Sequence, residues 1–272
     1  MERALRRAPT WKLDLLRCKI RDVRGIEKVT KYKVVLQYVG TRYSGWQIQK
    51  NQHTIQGNLK SALHQLTGEE ISVVGAGRTD SGVHAMEQVA HLRLSEEMAT
   101  EKLLRGLNGI LPWDIRVMSI DPAPQDFHAQ KDALRKRYEY RIYTGPVLPP
   151  FLHGHVHHMT RPLNASDMQR AAEQLCRSHD FRGFAAASTR VKSTVRTVFL
   201  SQIQEQGYHL TYQIEGDGFL HHMVRNIVGT LLEVGVGKRV PDDICAILDS
   251  KDRRLAGPTA PAHGLYLMHV SY

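Results

Sequence analysis

Asp80 stands between an arginine and a glycine turn in the nonapeptide Gly77 to Ala85, GRTDSGVHA, directly after the short apolar run Ile71 to Ala76. That run is rich in β-branched residues and predicts a strand, so the motif presents one carboxylate from the end of a strand to a ligand. Gly75, Gly77 and Gly82 bracket the loop and let a ligand approach its backbone closely. Arg78 adds a fixed positive charge whose forked donors suit phosphate, and Thr79 and Ser81 add hydroxyls. Asp and Gly are also the commonest turn residues, so the triplet Asp-Ser-Gly alone would carry little weight.

Several chemistries are excluded by what the chain lacks. Aspartic proteases need two such carboxylates sharing a proton, and the only second candidate, Gly216-Asp217-Gly218, has no apolar run leading into it. A glycosidase needs a pair of carboxylates flanking the bond it breaks. The short glycine pairs at 216–218 and 235–237 lack the third glycine and strand context of a dinucleotide site. Cys18, Cys176 and Cys245 lie far apart with no Cys-x-x-Cys spacing, which favours a reducing compartment. A strand through FLHGHVHH would put His153, His155 and His157 on one face, but no cysteine pair or nearby carboxylate completes a shell. We therefore expect no metal and no cofactor.

Two further segments carry side chains that could act with Asp80. Phe219 to Val234 reads as a helix, with Phe219, Leu220, Met223, Val224, Ile227, Val228, Leu231 and Leu232 recurring at helical spacing before Gly235. Arg225 falls on a different stripe, with His221 and His222 one turn earlier, where a solvated arginine is the usual occupant. Tyr138 opens the run RYEYRIY, where an aromatic is ordinarily explained by strand propensity, and Arg135, Lys136 and Arg137 at its start are placed to meet phosphates or to cap a charged loop.

Together these motifs resemble the TruA family of tRNA pseudouridine synthases. GRTDSGVHA is similar to that family's signature, in which the Asp is the nucleophile; YVGTRYSGWQ (Tyr38 to Gln47), DFHA (Asp126 to Ala129), RYEY (Arg137 to Tyr140), HHMVRNIVG (His221 to Gly229) and GLYL (Gly264 to Leu267) follow in the family's order. The likeness spans about Lys31 to Tyr272, with Ser81 where members more often carry Ala. It implies the pseudouridine synthase fold and an isomerase that turns uridine into pseudouridine in the anticodon stem-loop of tRNA, at positions 38, 39 and/or 40. Carried onto this chain, it implies Asp80 as nucleophile, Arg225 ion-paired with Asp80, and Tyr138 stacked on the uracil. It further implies Leu265 packing on the ring's other side and a homodimer whose subunits both touch each tRNA. Arg78 is cast as holding or replacing the extruded nucleotide, and Tyr138 is also a candidate to assist proton transfer at C5. In such a reaction Asp80 promotes cleavage of the N1–C1′ bond, the trapped uracil turns, and C5 rejoins C1′; attack on the sugar and attack on the ring both remain open. A catalytically idle RNA-binding protein, or a synthase for mRNA or an organellar tRNA, would use the same cleft.

The elements that must position these residues read as two similar α+β halves. A chain of 272 residues with 42% hydrophobic content supports a sizeable core, and a net charge of +10 favours a polyanionic partner. Lys31 to Gly40 and Arg137 to Gly145 both read as a strand closing on a glycine turn. Each precedes an amphipathic helix: Ile55, Leu59, Ala62, Leu63 and Leu66 stopped near Gly68, then Met168, Ala171, Ala172 and Leu175 capped by Asn164 or Ser166. Strands follow in each half, at Ile71 to Ala76 and Gln88 to Leu94, then at Val195 to Gln204 and Tyr208 to Glu215. Mainly antiparallel sheets covered by helices would leave their other faces to line a basic cleft. We place the halves at 31–133 and 134–272, preceded by a basic extension at 1–30. That extension holds nine Lys or Arg but also Glu2, Asp14, Asp22 and Glu27 and no Ser, unlike a mitochondrial transit peptide, and it has no apolar signal core. No run approaches the roughly 20 apolar residues of a membrane span, and a cytoplasmic location is expected.

Overall fold

The computed structural model describes residues 29–272, so most of the basic extension lies outside the described residues. Ten strands form one sheet: β1 (Thr30–Tyr38), β2 (Val73–Gly75), β3 (His84–Leu94), β4 (Ile115–Pro122), β5 (Arg135–Tyr143), β6 (His157–His158), β7 (Arg177–Asp180), β8 (Val195–Gln206), β9 (His209–Gly216) and β10 (Leu265–Ser271). Among the described residues five α-helices accompany them: α1 (Ile55–Thr67), α2 (Thr100–Ile110), α3 (Ala165–Glu173), α4 (Met223–Gly235) and α5 (Asp243–Ser250). The fold is α+β with a mainly antiparallel sheet.

The strand order β4-β1-β3-β10-β5-β9-β8-β7 shows how the chain repeats itself, with β2 paired to β3 and β6 to β5 off that path. In the first half the order of elements is β1-α1-β2-β3-α2-β4, and the opening strand lies between the last and the third. In the second, β5-α3-β8-β9-α4-β10 repeats it: β5 lies between β10 and β9, and β8 pairs with β9. Both halves are therefore split β-α-β-β-α-β units. They join through a short parallel pairing, Tyr266 with His84 and Leu267 with Ala85, so the sheet runs unbroken past Ala133. This junction puts the residues just after the Asp80 loop beside the strand that carries Leu265.

Local sequence explains the elements. In β1, Tyr32, Val34, Leu36 and Tyr38 alternate into the core. Thr54 caps α1 by accepting from Gly57 N, and Gly68 ends it at φ +76°. Asn164 caps α3 by accepting from Asp167 N. Helix α4 carries the longest buried apolar series of the five, from Met223 to Val234. No helix among the described residues is long and apolar enough to cross a membrane.

Two expectations require correction. The helix read from Phe219 begins only at Met223, because His222 takes a left-handed conformation at φ +61°, Phe219 and Leu220 are irregular, and His221 and His222 form a turn leading into it. Apolar spacing continued across that turn and concealed the break. The strand through His153, His155 and His157 does not form either: a 3-10 turn at Pro150–Leu152 and Gly154 at φ +75° confine β6 to His157–His158. Those histidines instead serve separate contacts, His155 stacking on His84 and His157 lying edge-on to Tyr140.

Candidate active site

Asp80 is held by a loop whose backbone is clamped from both sides. Trp46 N donates to Thr79 O at 3.1 Å, Gly82 N donates to Tyr43 O at 3.2 Å, and the Ser81 hydroxyl donates to Tyr43 O at 3.1 Å. This explains two glycines of YVGTRYSGWQ: a Cβ on Gly40 would lie 1.9 Å from Val83 O, and one on Gly45 would lie 2.5 Å from Thr79 O. Behind the loop, the Tyr38 hydroxyl meets Thr79 Oγ1 at 2.8 Å, and Gln88 Nε2 donates to Gly77 O at 3.0 Å and to the Tyr38 hydroxyl at 3.4 Å. Tyr38 and Gln88 are both buried, and burial pushes the Tyr38 phenol up to about 12. A neutral, hydrogen-bonded pair of side chains thus fixes the loop from within the core.

Helix α4 brings the arginine. Arg225 Nη1 donates to Asp80 Oδ2 at 3.0 Å, while its Nε donates to Ala260 O at 2.8 Å. Ala260 N returns a bond to Arg225 O at 3.1 Å, so the guanidinium is locked in direction before it reaches the carboxylate. Both partners are mostly enclosed, with 15% of the arginine side chain and 20% of the aspartate side chain exposed. The two histidines preceding α4 also face Asp80, His221 Nε2 at 3.7 Å from Oδ1 and His222 Nε2 at 3.6 Å from Oδ2. Burial lowers the His222 pKa against the opposing pull of Asp80, with His221, Arg225 and Arg253 lowering it further. One ligand atom from each of Asp80, His221 and His222 falls within 4.8 Å of the others, a grouping a divalent cation could use. The Arg225 guanidinium already on Oδ2 opposes such a cation.

The face of the sheet beside this loop is built from β5 and β10. Tyr138 lies opposite Leu267, and Tyr140 opposite Leu265, so all four side chains share one face. Tyr138 is 7% exposed and meets Phe219 edge-on, with ring centroids 5.2 Å apart. Burial, then the nearby Tyr38 and Asp80, raise its pKa well above the ordinary phenol range, so it is a neutral phenol at working pH. The three basic residues at the start of β5 divide by the same alternation. Lys136 lies against Gly77 of the loop, and burial followed by Arg196 lowers its pKa. Arg135 and Arg137 point the other way, where both pair with Glu215, at 3.2 and 2.7 Å, and Arg135 lies over Phe199. Arg78, in the same loop, is exposed.

This chain matches the family described as tRNA pseudouridine synthase over residues 34–130 and 171–272. It belongs to that family. Among its relatives, a tRNA pseudouridine synthase A of Thermoanaerobacter sp. (strain X514) is 44% identical over 239 residues, spanning 88% of this chain and 98% of the relative. One of Limosilactobacillus reuteri (strain DSM 20016) is 41% identical over 247 residues, 89% of this chain and 96% of the relative. One of Brevibacillus brevis (strain 47 / JCM 6285 / NBRC 100599) is 43% identical over 242 residues, 89% and 99%. The synthase is thus an isomerase of TruA type acting on tRNA. Sequence reasoning had no role for His84, although it lies inside the nonapeptide of this synthase. His84 is 1% exposed; its Nδ1 accepts from Gly40 N, and its Nε2 faces both Gly154 O and His263 O at 3.1 Å. Stacked on Tyr266 and His155, it ties the end of β1 to two turns of the second half. Nor did spacing reveal the support from Tyr38 and Gln88, because a buried tyrosine in a strand looks like any other core residue.

Proposed function

We propose that the synthase isomerises uridines in the anticodon stem-loop of tRNA, at positions 38, 39 and/or 40, with Asp80 as the nucleophile. The observation that carries this reading is the Asp80–Arg225 pair at 3.0 Å, held on a doubly clamped loop beside an aromatic face. A reactive carboxylate needs a fixed direction and a partner for its charged form, and Arg225 supplies both. The target nucleotide leaves its stack, and Arg78, exposed in the same loop, holds or replaces it. Tyr138 and Leu265 enclose the uracil while the N1–C1′ bond breaks, the base turns and C5 bonds to C1′; the proton on C5 is lost to a base and solvent, and the freed N1 takes one up, so the product is an isomer. A phenol kept protonated by burial suits Tyr138 to stacking on the uracil. Lys136 sits where an RNA phosphate near the loop would be met, while Arg135 and Arg137 would meet RNA only across the sheet and in competition with Glu215. The halves 31–133 and 134–272 act as the two walls of the cleft. The chain works without a cofactor, as a homodimer in the cytoplasm.

The test is release of tritium from C5-labelled uridine in a transcribed tRNA with uridines in its anticodon stem, comparing the intact protein with Asp80→Asn and mapping the product positions. Release that disappears in the variant supports the assignment; release that persists overturns the role of Asp80. Pseudouridine found only outside the anticodon stem overturns the positional reading.

A further inference from the structure

A cavity of about 350 Å³ opens beside the turn that carries His221, lined in part by Arg182, Thr189, Lys251, Asp252, Arg253 and Arg254. Four of these side chains are cationic and one is anionic. Two of the cations are matched by carboxylates: Arg254 Nε lies 3.0 Å from both oxygens of Asp252, and Lys251 pairs with Asp180 at 3.0 Å. Arg253 differs, because its guanidinium bonds only neutral acceptors in Ala256 O, Asn226 Oδ1 and Thr259 Oγ1, at 3.2, 3.0 and 3.3 Å. These bonds orient its charge without cancelling it. Thr189 Oγ1 is shielded from solvent and has no hydrogen-bond partner among the described residues, a state native chains rarely leave without a ligand or water.

The cavity is tied to the catalytic elements. Ala186 N donates to His221 O at 2.9 Å, and Arg253 bonds Asn226, the neighbour of Arg225 on α4. Asp80 and Arg253 both act on the charge of His222. No aromatic side chain lines the cavity, so it is not built to stack a base. A phosphodiester offers acceptor oxygens to a guanidinium fork and a hydroxyl at once.

We propose that this cavity holds a backbone phosphate of the substrate RNA at or next to the target uridine, with Arg182 and Arg253 supplying charge and the Thr189 hydroxyl donating to a phosphate oxygen. The inference rests on the proposed function, since it needs RNA extended past Asp80. It would place the flipped nucleotide by its backbone while Asp80 and Tyr138 act on its nucleoside.

The test walks single methylphosphonates, which remove one phosphate charge each, along the target stem of a synthetic C5-tritiated RNA. Single-turnover release is measured with the parent protein, Arg182→Gln and Thr189→Val; Arg253 is left intact because it also braces Asn226 and Thr259. One position is expected to lower the parent's kcat/KM roughly tenfold, and to lower that of each variant by a clearly smaller factor at that position alone, because one of the phosphate's contacts is already gone there while Arg253 remains. Losses that multiply at every position, with the parent active on unmodified RNA, would overturn the phosphate assignment while leaving the synthase reading intact. Inhibition by inorganic phosphate that both variants relieve, with losses still multiplying everywhere, would make this a free-phosphate site and equally overturn it. No release by the parent from any unmodified RNA would overturn the functional reading and this inference with it.

Discussion

Replacing Arg225 by leucine removes two hydrogen bonds at once, to Asp80 at 3.0 Å and to Ala260 O at 2.8 Å. With 15% and 20% of the two side chains exposed, the pair stands between a surface ion pair, which contributes about 1 kcal/mol or less, and a fully buried one, whose breakage costs about 3–5 kcal/mol. A hydrogen bond to a charged group in that middle regime contributes about 1.5–3 kcal/mol. If Arg225 directs the nucleophile, that energy is lost from the transition state, and the single-turnover rate should fall by about 10-fold to 150-fold. Arg225→Lys keeps the charge, but one ammonium cannot reach Asp80 and Ala260 O together as Nη1 and Nε do, so its rate should fall less but measurably. Tritium release reads the rate, and filter binding alongside should show tRNA affinity unchanged, because the guanidinium is mostly enclosed. An Arg225→Leu protein that folds and releases tritium within about threefold of the parent rate would refute the argument that this arginine positions Asp80.

Three further outcomes follow from the same geometry. Gly229→Ala would gain about 1 kcal/mol of helix propensity, yet its Cβ would fall 1.6 Å from Pro258 O, so thermal unfolding should show a net loss of about 1–3 kcal/mol; an unchanged or raised Tm would contradict that packing. Tyr38→Phe removes the 2.8 Å bond to Thr79, and we expect about 1 kcal/mol less stability with a lower kcat and an unaltered KM; a changed KM alone would place Tyr38 elsewhere in the mechanism. Burial chiefly, then the charge of His155, lowers the His84 pKa to about 4 against the opposing hydrogen bonds to His263 O and Gly154 O, so the unfolded chain binds the extra proton between that value and the ordinary 6.5. Stability is therefore complete above about 6.5 and falls as pH drops toward 4, by about 2 kcal/mol at pH 5 from this residue. Urea titrations at pH 7 and pH 5 check this, and His84→Asn should show a shallower pH dependence than the parent; an equal slope would remove His84 as its source.

The motifs were legible in sequence because each is local. A strand closing on GRTDSGVHA, an amphipathic helix stopped by Gly68, and a second opened by the cap residue Asn164 are written in consecutive residues, and short-range sterics and capping suffice to form them, although the Thr54 cap of the first showed only in the structure. The start of α4 was misread because apolar spacing says nothing of a single left-handed residue at His222. The histidines of FLHGHVHH were misread for the same reason at Gly154.

Sequence by itself determined part of the element list, a loose repetition in two halves and the candidate nucleophile, since propensity, pattern and motif all act within a few residues; α2, α5 and β4 went unread. The family resemblance implied Arg225 beside Asp80, but nothing in the residue pattern did, and only the tertiary structure brings the two together. Arg225 lies 145 residues further along the chain, and the 3.0 Å contact exists because the parallel pairing of β10 with β3 and the docking of Ala260 against α4 bring that helix to the loop. Equally, the side of the sheet that each basic residue of β5 faces was settled by register, since alternation sends Lys136 to the loop and Arg135 and Arg137 to Glu215. Contacts across such separations cost chain entropy that only the whole packed core repays, so no local stretch of residues encodes them alone.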